Sequence, residues 1–270
     1  MFKRFGRPLF FLLVMIIAVA LIGNEIIKEI RAANQSASDK TDLLVSAAVS
    51  LSDSLEEIKT VFEKKQPKVK IHFNFGASGA LRQQIEQGAA VDLFLSADEK
   101  NMKLLVDQDL IDINRQSALL GNELVVVVPA ESTNRIEHIQ DLLRDSFKHV
   151  ALGEPRIVPA GTYAEEALRF SQQWDALKDK AVFGNNVRQV LAYVETGNAD
   201  AGFVYKTDAL SSDKVKMAYI VDQAAYSPIL YYVGTAKDTK HTKQAQAFYE
   251  FLLDTEAQSI FQKYGFRPAG

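Results

Sequence analysis

The chain has no cysteine in its 270 residues, which excludes disulfides, thiolate nucleophiles and cysteine-held metals together. Histidine is nearly as scarce. The four present (His72, His138, His149 and His241) are scattered without ligand spacing, so no metal centre with direct protein ligands is expected. A surplus of positive charge is missing too: 31 Lys and Arg face 34 Asp and Glu, for a net charge of −3. Nucleic-acid binders show a basic face, and no nucleic-acid partner is expected here. The densest basic stretch, Lys64-Lys65-Gln66-Pro67-Lys68-Val69-Lys70, reads as a solvated helix end and strand start. There is no Walker-type glycine loop and no serine nucleophile turn with its Asp and His. These absences leave enzyme function a remote reading and imply no cofactor.

Hydrophobic residues make up 47% of the chain, which rules out disorder over most of its length. The length suits one large domain or two modest ones. At the start, Lys3, Arg4 and Arg7 precede an unbroken apolar run over residues 9–22. A basic flank followed by such a run is the pattern of an export signal. The run falls short of the about 20 apolar residues of a membrane span. Ala18-Val19-Ala20 and Ala32-Ala33 are candidate cleavage sites, so a cleaved signal and a retained membrane anchor are both consistent with the segment. Leu21-Ile22-Gly23-Asn24 has the form of a lipoprotein box with Asn where the acylated cysteine belongs, which excludes lipid attachment there. Residues 31–41 are small and polar, like a linker. Residues 1–41 are therefore expected to send the remainder out of the cytoplasm.

Beyond the linker, short apolar runs alternate with amphipathic patterns. Residues 43–48, 69–75 and 92–96 read as strands, and 51–65, 81–87 and 99–108 as helices. This βαβαβα order predicts a mostly parallel sheet with helices on both faces. Four consecutive valines close a strand over 124–128 that Pro129 stops. The alternation then resumes: strands at 150–152, 180–183 and 201–205, helices at 163–174 and 187–196, and two helices near 242–253 and 256–264. Two βα series joined by apolar strands near 124 and 230 suggest two lobes, with boundaries at 42–122, 123–228 and a return to the first lobe over 229–270.

Four helix starts share one character. Ser50-Leu51-Ser52-Asp53, Gly76-Ala77-Ser78-Gly79, Pro159-Ala160-Gly161-Thr162 and Gly184-Asn185-Asn186-Val187 are turns of small residues without Lys or Arg. A helix start presents unpaired N–H groups and a partial positive charge. Several aimed at one point make an uncharged socket for an anion. Each turn follows a strand, where ligands of open α/β sheets sit.

These segments resemble, in order, the periplasmic molybdate-binding proteins of ABC transporters, a branch of the type II solute-binding proteins. The stretches that carry the resemblance are Ala47-Ala48-Val49-Ser50-Leu51, Phe75-Gly76-Ala77-Ser78-Gly79-Ala80-Leu81, Asp92-Leu93-Phe94-Leu95-Ser96-Ala97-Asp98, Leu120-Gly121-Asn122-Glu123-Leu124-Val125-Val126, Val158-Pro159-Ala160-Gly161-Thr162-Tyr163-Ala164, Asn186-Val187-Arg188 and Gly202-Phe203-Val204-Tyr205. The resemblance implies a two-lobed fold, each lobe a mostly parallel sheet flanked by helices, with the ligand in the cleft. It implies capture of molybdate, and of tungstate, for a membrane permease, with the protein acting as a monomer. The family's hydroxyl donors fall on Ser50, Ser78 and Tyr205, and its backbone amide donors on Ala160 and Val187. Gly79 and Ala80 stand where the family often carries Ser or Thr, so that turn offers fewer hydroxyls.

Molybdate and sulfate carry no proton at neutral pH and only accept hydrogen bonds; phosphate keeps a proton and needs an acceptor. A pocket of donors alone suits the first two and penalises the third. Sulfate or another tetrahedral oxyanion is the alternative ligand. Residue by residue, plainer readings stand beside these roles: Ser50 and Ser78 as helix caps, Tyr205 as a core aromatic, Arg188 as a structural salt bridge, Asp53 and Asp98 as caps.

Overall fold

The structure is a computed structural model that describes residues 40–269. The export segment and almost all of the linker lie outside the described residues. Strand β1 (Thr41–Ala48) leads through a 3₁₀ turn at Val49–Leu51 into helix α1 (Ser52–Lys65). There follow β2 (Val69–Gly76), α2 (Ser78–Glu86), β3 (Leu93–Ser96), α3 (Glu99–Asp107), β4 (Ile111–Gly121) and β5 (Leu124–Pro129). The middle of the chain builds β6 (Val150–Gly153), α4 (Pro159–Phe170), the short α5 (Trp174–Leu177), β7 (Ala181–Gly184), α6 (Val187–Glu195), β8 (Ala201–Tyr205), α7 (Lys206–Leu210) and β9 (Val215–Ile220). The last part adds β10 (Leu230–Ala236), α8 (Thr242–Leu253), α9 (Thr255–Lys263) and β11 (Arg267–Pro268).

The strands form two sheets, ordered β11-β4-β10-β3-β1-β2 and β7-β6-β8-β5-β9. Both are mixed, which corrects the expectation of mostly parallel sheets. β1 runs parallel to β3, but β10 runs antiparallel to both β3 and β4. In the second sheet β6 is parallel to β7 and β8, whereas β5 is antiparallel to β8 and β9. The physical reason is the path between the sheets. The chain leaves the first sheet through β4, enters the second through β5, leaves it through β9 and returns through β10. These crossing strands arrive without a crossover helix, so they can pair antiparallel.

β4 and β9 were not legible from periodicity. β4 carries Asp112, Asn114, Arg115, Gln116 and Ser117 in its middle, and much of that stretch is solvent-accessible. β9 is an edge strand with exposed Lys216 and Met217. Neither has a buried face long enough to write an apolar pattern. β5, by contrast, lies between β8 and β9 with Val125 to Val128 fully buried, as strands covered on both faces are.

Candidate ligand pocket between the two sheets

Strand ends and helix starts meet where the two sheets face each other. Ser50 sits on the turn after β1. Ser78 is the first residue of α2, just after β2. Ala160 is the second residue of α4 and Val187 the first of α6; N–H groups there have no acceptor within their own helix. Tyr205 ends β8. All five line one narrow pocket, together with Ala48, Val49, Gly76, Ala77, Ala97, Val158 and Pro159. The first sheet supplies Ser50, Ser78 and Ala97; the second supplies Ala160, Val187 and Tyr205. No charged side chain is among these lining residues.

Neither serine is a helix cap. The N-cap positions are Leu51 and Ala77, and no side-chain cap bond forms at either. The Ser78 hydroxyl oxygen instead accepts from the Ala97 N–H at 2.9 Å, which leaves its proton for another acceptor. Ser50 Oγ lies 2.9 Å from the Tyr231 hydroxyl. The Tyr205 hydroxyl is fully buried without a hydrogen-bond partner among the described residues. Burial pushes the Tyr205 and Tyr231 hydroxyls well above the ordinary phenol range, so both keep their protons and remain donors.

The cleft is tightly closed. The Gly79 N–H donates to the Ile157 carbonyl at 3.0 Å, joining the two halves through backbone. A Cβ at Gly79 would lie 2.7 Å from that oxygen, so no side chain fits at this position without moving the backbone. Gly161 is tighter still: a Cβ there would meet the Gly153 carbonyl oxygen at 2.0 Å, which seats α4 against the end of β6.

The cations stay outside. Arg188 follows Val187 but reaches away from the pocket, to Asp208 Oδ1 at 2.8 Å, Asp53 Oδ2 at 2.7 Å and Ser211 Oγ at 3.0 Å. Asp53 is therefore not a cap, which corrects that reading; it pairs across the cleft. Asp98 does cap α3, accepting from the Asn101 N–H at 2.9 Å. Burial lifts the Asp208 carboxyl to about 6 although Arg188 opposes the shift. Burial works against the Arg188 charge too, yet Asp208 and Asp53 outweigh it and raise its pKa.

Sequence reasoning missed Tyr231, Asn122 and the Ala97 amide. Tyr231 lies inside an apolar strand and reads as core. Asn122 stands in the Gly121-Asn122-Glu123 stretch that carried part of the resemblance, but nothing in its spacing pointed to the pocket.

Two lobes, a cleft at strand carboxyl ends and an uncharged pocket within it define a solute-binding protein of the two-lobed type II class. The chain belongs to the bacterial extracellular solute-binding protein family, whose model matches residues 43–267. Members capture solutes for transport and are not enzymes. The YvgL protein of Bacillus subtilis (strain 168), provisionally assigned as an ABC transporter substrate-binding lipoprotein, is 49% identical over 86% of this chain and 90% of its own. The molybdate-binding protein ModA of Escherichia coli (strain K12) is 37% identical over 87% and 92%. The periplasmic molybdate-binding protein of Azotobacter vinelandii superposes with a TM-score of 0.76 at 24% identity, covering 83% of this chain and 98% of that one, a likeness of fold.

Proposed function

We propose that the protein captures molybdate, and tungstate with it, outside the cytoplasm and hands it to the membrane subunit of an ABC importer. The observation that carries this reading is the convergence of Ser50, Ser78, Ala160, Val187 and Tyr205 on a pocket without a charged lining side chain. The kinship with ModA supports the choice of metal oxyanion.

The chemistry follows from the donor set. A dianion taken from water is held only when its oxygens stay hydrogen-bonded. Ser78 has one proton uncommitted, because its oxygen already accepts from Ala97. Tyr205 brings a buried hydroxyl without a partner among the described residues, free to donate to an acceptor in the pocket. Ala160 and Val187 add amides at helix starts, where the backbone dipoles favour negative charge. Without a salt bridge to break, release to the permease stays feasible.

Both halves contribute donors, so occupancy favours closure. In this reading residues 42–122 with 229–270 form one lobe and 123–228 the other. Bending falls at Asn122-Glu123 and at 221–229, the two segments that pass between the sheets. The protein works as a monomer, and residues 1–41 carry it across the membrane or anchor it there.

Calorimetric titration with molybdate, tungstate, sulfate and phosphate tests the proposal. Tight binding of the first two and weak binding of phosphate is expected. A preference for sulfate would reassign the ligand, and no heat with any of the four would overturn the reading.

A further inference from the structure

Behind Ser50 runs a chain of buried polar groups that reaches the crossing between the sheets. Tyr231 on β10 contacts Ser50 Oγ at 2.9 Å. Asn122, in the first crossing, donates through Nδ2 to the Tyr231 hydroxyl oxygen at 3.3 Å and to Thr207 Oγ1 at 3.0 Å. The Asn122 carbonyl oxygen Oδ1 accepts from the Glu123 N–H at 2.9 Å. Ser50, Asn122, Thr207 and Tyr231 are all buried.

The Ser50–Tyr231 distance alone does not say which hydroxyl donates. The Asn122 amide decides it. The Glu123 N–H needs an acceptor, so the amide oxygen faces Glu123 and the NH₂ group faces Tyr231 and Thr207. An NH₂ group only donates, so the Tyr231 oxygen accepts from it. The Tyr231 proton then has Ser50 Oγ as its partner, and the Ser50 proton is left to point into the pocket.

We infer that Asn122 and Tyr231 are positioning residues that set Ser50 as a donor and so select for oxyanions without a proton. The inference rests on the oxyanion reading above and deepens it. Every hydroxyl in the chain is oriented the same way, Asn122 to Tyr231 to Ser50 to ligand. An oxyanion that offers its own O–H to Ser50 leaves the Ser50 proton buried without an acceptor, a penalised arrangement. Asn122 also occupies the crossing between the sheets, so the polarity is anchored at a point shared by both halves.

The test is a double-mutant cycle read by calorimetry with molybdate, sulfate and monohydrogen phosphate as probes. Tyr231→Phe is expected to weaken molybdate binding several-fold when Ser50 is present and to have no effect in a Ser50→Ala background. Asn122→Asp reverses the chain: a carboxylate accepts from Tyr231, which must then accept from Ser50. It also adds a negative charge, but molybdate and monohydrogen phosphate are both dianions, so their affinity ratio cancels that effect. The ratio is expected to fall about tenfold in Asn122→Asp, and to be the same in Ser50→Ala and in Ser50→Ala with Asn122→Asp. Effects of equal size with and without Ser50, or an unchanged ratio, overturn the inference while leaving the functional reading intact. A wild-type protein that takes neither molybdate nor sulfate overturns both. Should Asn122→Asp fail to fold, the Tyr231→Phe cycle decides alone.

Discussion

Ser78 shows how a single side chain is committed by its neighbours. Its oxygen already accepts from the Ala97 amide, which leaves its proton to donate. Ser78→Ala is expected to weaken molybdate binding by about 1.5–3 kcal/mol, roughly ten- to a hundredfold; unchanged heats of titration would remove Ser78 from the site. Asp208 makes a different prediction. Its carboxyl titrates near 6 in the folded chain because it is buried, against 3.8 in the ordinary state. The folded form therefore binds the proton more tightly than the unfolded chain. Its contribution to stability grows as pH falls from above 6 towards 4, by on the order of 3 kcal/mol in total. Asp208→Asn is expected to remove that slope. Thermal unfolding of variant and wild type across this window checks it, the difference isolating Asp208 from the carboxylates whose pKa values are lowered. At this scale the sequence was only partly readable. Hydroxyls in small-residue turns can be seen in a sequence, whereas the donors proposed at Val187 and Ala160 are backbone groups with no side-chain signature. Tyr231 was hidden because an aromatic within β10 has the same pattern whether or not its hydroxyl is used.

Elements were legible where burial wrote a period. α1 shows its apolar stripe with Leu55, Ile58 and Phe62 buried, and β5 is a run of covered valines. β4 and β9 were not legible because they lie partly or wholly in solvent. Strand direction escaped for another reason: it is decided by which neighbour a strand finds, not by its own residues. The contact between α4 and β6 carries the element-scale prediction. Gly161→Ala puts a methyl group against the Gly153 carbonyl, and backbone on both sides leaves it no exit. A destabilisation of about 1–3 kcal/mol is expected, read as a lowered denaturant midpoint, with molybdate affinity falling as the Ala160 amide shifts. A midpoint equal to wild type would mean that α4 slides freely on the sheet.

At the scale of the whole molecule, closure is held by few direct ties. Arg188 to Asp53 is one, and it is half-exposed at the aspartate end. Such a pair is worth about 0.2–1 kcal/mol. Asp53→Asn is therefore expected to speed molybdate release by no more than about fivefold in stopped-flow dissociation; a far larger change would make this pair the main latch. Affinity itself is expected to fall only mildly with added salt, since no cation lines the pocket. The interleaved path of the chain has a further consequence. Strand β10 lies in the interior of the first sheet, between β4 and β3, yet it comes from residues 230–236. All five strands of the second sheet are complete by residue 220. A chain emerging from its N-terminus can thus finish the second half while the first waits, its central slot unfilled, for almost the last forty residues. Chains truncated after residue 228 should accordingly hold a protease-resistant middle and a digestible start, the reverse of the order in which the residues are made.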